Sequence, residues 1–273
     1  MRTMGDCKEI SRKPKKADRQ PSLQDPGEER VDFGYRLISA REKATHVLRY
    51  FNAIARKYDI MNTLLSFGLH HRWKRLSVEA LGLKSGESVI DVCGGTADLS
   101  LLAARAVGAE GRVILCDFSR AMIAEGASKI RRASLEERIL PVQGDAESLS
   151  FSTGAFDAAM VGFGIRNLTH MEKGLAEMHR VLGAGGRLMC LEFSLPVSGW
   201  FRLLYDFYSF HLMPLAGKVF AGNRDIYTYL PETIRKLPPP GRIITLIEEA
   251  GFSAVSCRRL TNGIAVIYTG VKR

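Results

Sequence analysis

Three acidic residues lie at the ends of successive predicted strands, and their spacing suits the binding of a nucleoside. Asp91 lies inside an apolar strand that runs into Gly94 and Gly95 and then into a helix with one apolar face. Asp117 ends the next predicted strand, and Asp145 follows the third. Ligands of open α/β sheets bind at the carboxyl ends of the strands, so these side chains should meet at one site.

The glycine turn fits neither a dinucleotide fold nor a phosphate loop. Residues 93–98 read Cys-Gly-Gly-Thr-Ala-Asp, which lacks the Gly-x-Gly-x-x-Gly spacing, and the chain has no Gly-Lys-Ser/Thr. Adjacent glycines allow a ligand to approach the backbone closely. The acid at Asp91 disfavours pyrophosphate but suits a cationic ligand, which points to S-adenosylmethionine. A purely structural turn is the alternative.

The other two acids match the nucleoside part of that cofactor. Asp117 follows the glycines by about twenty residues, the position from which an acid commonly accepts hydrogen bonds from ribose hydroxyls. Asp145 is suited to accept from the adenine amine, while the Ala146 amide donates to a ring nitrogen. Each acid alone is equally consistent with a structural cap, whereas three in succession favour a nucleoside.

Strand and helix patterns alternate along the chain and predict a mostly parallel sheet with helices on both faces. The predicted strands span residues 89–92, 112–116, 139–143, 156–161, 187–193, 253–259 and 264–271. Ser119 is a predicted N-cap. The glycine-rich stretch 183–186 is predicted to cap the C-terminus of the helix before it.

The rest of the chain divides into three predicted regions. Residues 1–35 are predicted to be a disordered basic and polar tail, and residues 36–273 a single domain. Helical patterns over residues 40–82 predict an N-terminal cap, with a break at residues 59–62. Aromatic residues accumulate in 197–240, which we interpret as a lid inserted into the domain; charged residues interrupt it too often for a transmembrane helix.

The formal net charge of +10 allows nucleic acid, an anionic membrane surface or an acidic substrate as partner. Between Arg41 and Arg75 there are eight Lys or Arg residues against two acids. This excess indicates either a solvated helix face or a surface that meets lipid headgroups. The five cysteines have no metal-binding spacing and indicate a reducing compartment, and no metal is predicted.

Several ordered sequence blocks resemble the ubiquinone/menaquinone biosynthesis C-methyltransferases. They comprise residues 58–73, 156–157 with 163–167, 180–182 with 191–194, 229–235 and 260–265. The resemblance runs from about residue 31 to the end. It implies the class I, Rossmann-like S-adenosylmethionine methyltransferase fold, a seven-stranded sheet whose last strand is antiparallel. It also implies C-methylation of a prenylated quinol, either demethylmenaquinol or the benzoquinol precursor of ubiquinone.

Transferred position by position, the resemblance adds Thr96 to the cofactor-binding residues. The full predicted set is Asp91, Gly94, Gly95, Thr96, Asp117, Asp145 and Ala146. The chain departs from the family at Ala97, where a third glycine is usual, and at Gly162, where serine is common. These two departures predict weaker cofactor binding. Asn223 replaces an acid, which leaves the role of its neighbourhood open.

Methylation of a ring carbon needs electron density, which removal of a hydroquinone proton supplies. The predicted catalytic residues are Arg166, Asn167 and Tyr58. Arg166 cannot act as an ordinary base because a guanidinium stays protonated in proteins, but it can stabilise a developing phenolate. Asp59 and His70 are further candidate bases, and His70 is alternatively a packed structural residue.

Two other functional classes stay open. A nucleic-acid methyltransferase would explain the basic charge, although residues 162–165 lack the Asn-Pro-Pro-aromatic pattern of base N-methylation. A non-catalytic nucleoside-binding module would not need the block 58–73. The favoured interpretation predicts a prenylated quinol, transient contact with an anionic membrane surface and a homodimer as partners, without nucleic acid. It also predicts a cytoplasmic protein held peripherally at the inner face of the cytoplasmic membrane.

Overall fold

The computed structural model describes residues 29–222 and 225–273, so residues 1–28 of the predicted tail and Asn223 lie outside the described residues. The tail prediction is wrong for residues 30–35. A β-hairpin forms there from β1 (Arg30–Phe33) and β2 (Arg36–Ser39). Phe33 is buried and stacks on the Tyr229 ring with centroids 4.4 Å apart, so a distant contact stabilises strands too short to show a clear pattern.

A seven-stranded sheet forms the centre of the fold, as the sequence predicted. Its strands are β3 (Ser88–Val92), β4 (Arg112–Asp117), β5 (Ile139–Gln143), β6 (Phe156–Gly162), β7 (Leu182–Phe193), β8 (Phe252–Leu260) and β9 (Ala265–Lys272). Their order is β5-β4-β3-β6-β7-β9-β8, and β9 runs antiparallel to both of its neighbours. The carboxyl ends of β3, β4, β5 and β6 therefore meet at one edge of the sheet.

Helices cover both faces of this sheet. The helices of the described residues are α1 (Ala40–Ile54), α2 (Tyr58–Leu65), α3 (Leu69–Leu81), α4 (Asp98–Ala106), α5 (Arg120–Arg132), α6 (Met171–Val181), α7 (Gly199–Phe207), α8 (Met213–Ala216), α9 (Asp225–Lys236) and α10 (Pro240–Glu249). Those that pack on the strands of the sheet are α3, α4, α5, α6 and α10. One apolar cluster contains Trp73 of α3 and Ala103 of α4. A second contains Leu175 of α6 and Ile247 of α10. Each cluster buries the apolar side chains of its own layer.

The N-terminal cap begins at a capping box and contains a break at an unpredicted place. Ser39 accepts a hydrogen bond from the Glu42 N–H, and the Glu42 carboxylate accepts from the Ser39 N–H. The chain breaks in the 3-10 turn Ala55–Lys57, whereas residues 59–62, the predicted break, lie inside α2. An aromatic cluster that includes Phe33 and Tyr229 then packs the cap against α9.

The predicted glycine cap of α6 is wrong. This helix ends at Val181, and the next residue is extended and already belongs to β7. Lys272 of β9 donates instead to the carbonyl groups of His179 at 2.8 Å and Leu182 at 2.6 Å. A lysine from another element therefore satisfies carbonyls that a glycine turn would otherwise have to satisfy.

The region predicted as a lid, residues 197–240 and here called the aromatic segment, folds into consecutive helices that lie against the cap. Two five-residue π-helical stretches, Tyr208–Leu212 and Gly217–Ala221, flank α8. Such stretches are rare and occur frequently at functional sites. Among the residues described, no helix has the length and apolar character needed to cross a membrane.

Candidate active site

Two adjoining cavities open above the carboxyl ends of the parallel strands. The larger measures about 450 Å³ and the smaller about 170 Å³. Phe51, Tyr58, Phe163 and Asn167 line both of them. The two cavities therefore meet at these four side chains, and a ligand in one would be the neighbour of a ligand in the other.

The smaller cavity is built from the strand ends that the sequence singled out. Gly95 after β3, Asp117 at the end of β4, and Asp145 with Ala146 after β5 all line it. The remaining wall comes mainly from α1, from Met122 of α5 and from the residues that follow β6. Four of the seven predicted cofactor-binding residues thus share one cavity.

Asp117 is held in place by two backbone groups. The Gly95 N–H donates to Oδ2 at 2.9 Å, and the Ser119 N–H donates to Oδ1 at 2.8 Å. Ser119 also caps α5, as predicted, because its hydroxyl accepts from the Met122 N–H. Burial raises the pKa of Asp117. Each carboxylate oxygen keeps a further lone pair, so the side chain is fixed and can still accept hydrogen bonds from a diol.

Asp91 and Gly94 line neither cavity. Asp91 is fully buried, its Oδ2 accepts from the Ser100 hydroxyl at 2.6 Å, and its Oδ1 has no hydrogen-bond partner. Burial raises the pKa of Asp91 to about 7. A Cβ at Gly94 would lie 2.3 Å from a Leu115 methyl and 2.8 Å from Asp91 Oδ2. Glycine is needed there because the protein itself fills the space, and not because a ligand approaches.

Thr96 also lies behind the cavity wall, in a network that joins α2 to the core. Its hydroxyl donates to Asp59 Oδ1 at 2.6 Å, and Lys129 Nζ lies 2.8 Å from Asp59 Oδ2. Lys129 also pairs with Asp98, which Lys74 contacts at 2.7 Å. Burial opposes ionisation of Asp98, but these two lysines outweigh it and lower the Asp98 pKa. Both carboxylate oxygens of Asp59 are thus engaged, one by Thr96 and the other by Lys129.

The two departures near the cofactor pocket have local causes. Ala97 adopts a left-handed backbone with φ of 72°, where glycine would be unstrained. Its methyl group is fully buried in the core, which offsets part of that strain. At Gly162, a Cβ would lie 2.5 Å from Leu99 Cδ1. Leu99 therefore occupies the space that a serine side chain would require.

The larger cavity is lined mainly by aromatic and aliphatic side chains from the cap, β7 and the aromatic segment. The lining residues of that segment include Phe201, Leu204, Tyr205 and Tyr208. Trp200 is not among them, because its side chain turns outward and is 67% exposed.

Arg166 lines the larger cavity and is paired with a fully buried acid. Its Nη1 lies 2.9 Å from Glu192 Oε1, and its guanidinium carbon lies 5.3 Å from the centre of the Phe193 ring. It also donates to the Phe163 carbonyl. From the sequence alone, Glu192 has no predicted role. Its position as an acid inside the apolar strand β7 is the signal that indicates a buried partner for a cation.

Tyr58 and Asn167 lie at the border between the cavities. The Asn167 amide donates to the Phe163 carbonyl at 3.5 Å, and Asn167 Oδ1 accepts from the Tyr229 hydroxyl at 3.4 Å. Tyr229 also lines the larger cavity and was missed from the sequence, since its contact with Asn167 spans 62 residues.

His70 is buried in the wall of the larger cavity. Its Nε2 lies 3.1 Å from the Thr63 hydroxyl, and its Nδ1 has no hydrogen-bond partner. Burial and then the Lys74 cation lower the pKa of His70 to about 4, so the imidazole is neutral at neutral pH.

The basic cap residues do not all face solvent. Lys43 and Lys74 are buried; Lys43 donates to the Leu168 carbonyl at 2.6 Å. Within the described parts of the chain, no group of three His, Cys, Asp or Glu residues could hold a metal ion.

A family model and similar proteins indicate the same family for this chain. A model of the ubiE/COQ5 methyltransferase family matches residues 39–272. The chain is 41% identical over 250 residues to the ubiquinone/menaquinone biosynthesis C-methyltransferase UbiE of Idiomarina loihiensis, covering 92% of this chain and 100% of that protein. It is 40% identical to the enzyme of the same name from Escherichia fergusonii, covering 91% of this chain and 99% of that protein.

Solved structures of low sequence identity share the fold. A SAM-dependent methyltransferase from Aquifex aeolicus superposes with a TM-score of 0.55 at 15% identity, over 73% of this chain and 89% of that chain. Phosphoethanolamine N-methyltransferase 2 of Haemonchus contortus, in complex with S-adenosyl-L-methionine, superposes with a TM-score of 0.54 at 14% identity. That match covers 72% of this chain and 52% of the other.

Proposed function

Because the chain belongs to the ubiE/COQ5 methyltransferase family, we propose that its two adjoining cavities hold S-adenosylmethionine and a prenylated quinol, which meet at the four side chains that line both cavities. The protein is an S-adenosylmethionine-dependent C-methyltransferase of menaquinone biosynthesis, ubiquinone biosynthesis or both. The observation that carries the proposal is the set of four side chains common to both cavities, which brings the two ligands next to each other.

The alternative classes are not favoured. The relatives named above are C-methyltransferases of quinone biosynthesis, and the chain covers almost their whole length. A nucleic-acid methyltransferase would need a basic, open surface, whereas the larger cavity is bounded mainly by aromatic and aliphatic side chains. A nucleoside-binding module would need no second cavity.

In the smaller cavity, Asp117 accepts from the ribose hydroxyls, while Asp145 and Ala146 recognise the adenine. Gly95 orients Asp117 through its N–H. Asp91, Gly94 and Thr96 act from behind the wall by fixing the turn that carries Gly95. The bound cofactor supplies an electrophilic methyl group on a sulfonium, and the protein's task is to hold a ring carbon in line with it.

In the larger cavity, Arg166 stabilises the negative charge that develops on a quinol oxygen. Glu192 fixes the orientation of its guanidinium, and the low polarity of the surrounding wall strengthens that interaction. Tyr58 and Asn167 bound the quinol ring on the side nearest the cofactor. Tyr229 holds Asn167 in position through its hydroxyl.

The outer surface of the cap and of the aromatic segment is the part of the enzyme that meets the membrane. We define the apolar patch as the exposed side chains Ile60, Leu64, Phe67, Trp200, Leu203, Leu204, Phe207, Leu215, Val219 and Phe220. Phe67, just after α2, contacts Tyr208 with ring centroids 5.9 Å apart, and the Tyr208 hydroxyl donates to the carbonyl of Leu65 at 2.7 Å, so the end of α2 and the aromatic segment adjoin. Exposed apolar areas of this extent mark interaction sites.

A lipid bilayer is the occupant that suits this patch. Phe67 and Leu204 belong both to the patch and to the wall of the larger cavity, so the surface is continuous with the chamber proposed for the quinol. The prenyl tail would pass from the bilayer into the cavity along it. Exposed Arg202 and Lys218 beside the patch suit anionic headgroups at the inner face of the cytoplasmic membrane. A homodimer that buries the same patch is the competing outcome.

Labelled methyl transfer tests the proposed function. The purified enzyme, given labelled S-adenosylmethionine and anaerobically reduced demethylmenaquinol or the benzoquinol precursor, is expected to label the ring carbon of at least one of them. Leu140→Ala is a matched control, because Leu140 is exposed on β5 and lines neither cavity. Cofactor binding without transfer to either quinol would contradict the proposal.

A further inference from the structure

Three buried polar atoms without partners belong to residues that line the larger cavity. They are His70 Nδ1, Arg166 Nε and the Tyr227 hydroxyl. Only two other such atoms, on Asp91 and Tyr268, occur in the part of the chain that the structure describes. Buried polar groups are normally hydrogen-bonded. Their concentration in one mainly apolar wall indicates that polar groups of the bound substrate complete them.

The hydrogen bonds around Thr63 determine which nitrogen of His70 carries the proton. The Thr63 hydroxyl donates to the Asp59 carbonyl at 2.9 Å. A hydroxyl has one proton, so with that proton directed at Asp59 the Thr63 Oγ1 accepts at its contacts with His70 Nε2 at 3.1 Å and His71 Nε2 at 3.3 Å. This arrangement assigns the proton of the neutral imidazole to Nε2. His70 Nδ1 has a bare lone pair and can act only as an acceptor.

The two unpaired nitrogens, His70 Nδ1 and Arg166 Nε, need opposite hydrogen-bond partners. Arg166 Nε always carries a hydrogen and needs an acceptor. His70 Nδ1 needs a donor. A quinol can meet both needs, since one ring hydroxyl donates to His70 and the other ring oxygen accepts from Arg166. A quinone has only carbonyl oxygens, so it can satisfy Arg166 but would set a lone pair against the lone pair of Nδ1.

We propose that His70 accepts a hydrogen bond from a ring hydroxyl of the substrate and thereby selects the reduced quinol over the oxidised quinone. This inference rests on the proposed function and makes His70 the residue that discriminates between the quinol and the quinone. Burial lowers the pKa of His70 to about 4. The imidazole therefore remains an acceptor throughout the physiological pH range and does not hold the proton as a strong base.

Anaerobic equilibrium dialysis measures the effect directly. The probes are a naphthoquinol with one prenyl unit, kept reduced, and the corresponding quinone, each without cofactor. The wild type is expected to bind the quinol about tenfold more tightly, the equivalent of one hydrogen bond of about 1.4 kcal/mol. His70→Leu should lose this preference by weakening quinol binding alone. His70→Asn, whose amide oxygen can occupy the region of Nδ1, should retain part of it.

Thr63 provides a second test that leaves the histidine in place. Thr63 is exposed, so its substitution is tolerated by the fold more easily than that of His70. Thr63→Val removes the acceptor that holds the proton on Nε2, and the preference for quinol should shrink. Thr63→Ser keeps the hydroxyl and should preserve the preference.

Two results would overturn the inference. One is equal affinity of the wild type for quinol and quinone. The other is an equal loss of affinity for both forms in His70→Leu together with an unchanged ratio in Thr63→Val. Methyl transfer is assayed on the same preparations. A wild type that prefers quinol but transfers no methyl group would contradict the proposed function and leave the redox selection by His70 supported.

Discussion

Arg166 and Glu192 form an ion pair 2.9 Å apart that is almost completely buried beside the larger cavity. Glu192 also accepts hydrogen bonds from the backbone N–H groups of Arg166 at 3.3 Å and Phe193 at 2.8 Å. Glu192 therefore holds both the guanidinium of Arg166 and the backbone on either side of the site. Its neutralisation should affect stability as well as catalysis.

Glu192→Leu is expected to lower the free energy of unfolding by about 3–5 kcal/mol, because it leaves a buried arginine without its partner. Glu192→Gln keeps an acceptor oxygen and should cost less. Denaturant titration followed by circular dichroism measures both variants. An unchanged unfolding midpoint in Glu192→Leu would show that Arg166 reaches solvent when its partner is lost.

Arg166→Ala is expected to lower kcat by about 10²–10³-fold, the usual effect of removing one donor to a developing oxyanion. The Kd for S-adenosylmethionine should change little, because Arg166 lines the larger cavity and not the smaller one. Arg166→Lys, which keeps the charge, serves as the control and should recover part of the rate. A normal kcat with weaker cofactor binding would transfer Arg166 to the cofactor site.

Asp117→Ala is expected to raise the Kd for S-adenosylmethionine about ten- to 150-fold, since hydrogen bonds to a charged group contribute roughly 1.5–3 kcal/mol. Asp117→Asn retains one acceptor and should have an intermediate Kd. Isothermal titration calorimetry on folded variants checks the order of the three affinities. An unchanged Kd in Asp117→Ala would exclude this carboxylate from ribose recognition.

Asp91 makes the cofactor-free protein less stable as the pH rises. Burial raises its pKa from the ordinary value of 3.8 to about 7, so the folded state holds more protons than the unfolded state between these values. The free energy of unfolding should therefore fall through this window and then level off. The expected size is on the order of a few kcal/mol.

Asp91→Asn should remove this part of the pH dependence, because the amide does not titrate. Denaturant titrations of both proteins between pH 4 and pH 8 would measure the difference, with other titrating groups common to the two. Parallel curves for wild type and variant across the window would mean that Asp91 is ionised throughout in the folded protein.

The apolar patch is expected to bind anionic liposomes in a salt-sensitive way. Leu203→Glu with Phe207→Glu should abolish flotation, because it places two negative charges in the apolar patch. Both side chains are exposed and neither lines a cavity, so the fold and the cavities should be preserved. The same variant should raise the KM for a long-tailed quinol more than for a tail-less analogue. Leu140→Glu, also exposed but on β5, is the matched control. Loss of a dimer in the double variant, without any liposome binding by the wild type, would assign the patch to self-association.

Local patterns were sufficient to predict the sheet and the strand ends that line the smaller cavity. Buried parallel strands are apolar almost throughout, and a polar residue or glycine stands at or just beyond the end of each strand that leads to this cavity. Asp117, Asp145 and Ala146 were found on that basis, and all three line one cavity.

Long-range contacts account for most of what the sequence did not predict. The hairpin depends on Phe33 stacking against Tyr229, almost 200 positions away in the chain. Thr96 turns away from the cavity because Asp59 of the cap binds its hydroxyl. Such contacts form only when separate elements pack together, so the local sequence pattern of neither partner predicts them.

The wall shared by the two cavities implies that the affinities for cofactor and quinol are thermodynamically linked. Any shift of Phe51, Tyr58, Phe163 or Asn167 on binding one ligand changes the surface offered to the other. If bound quinol alters the Kd for S-adenosylmethionine by some factor, the cofactor must alter the Kd for quinol by the same factor. A substitution in this wall therefore changes the coupling between the sites as well as the sites themselves.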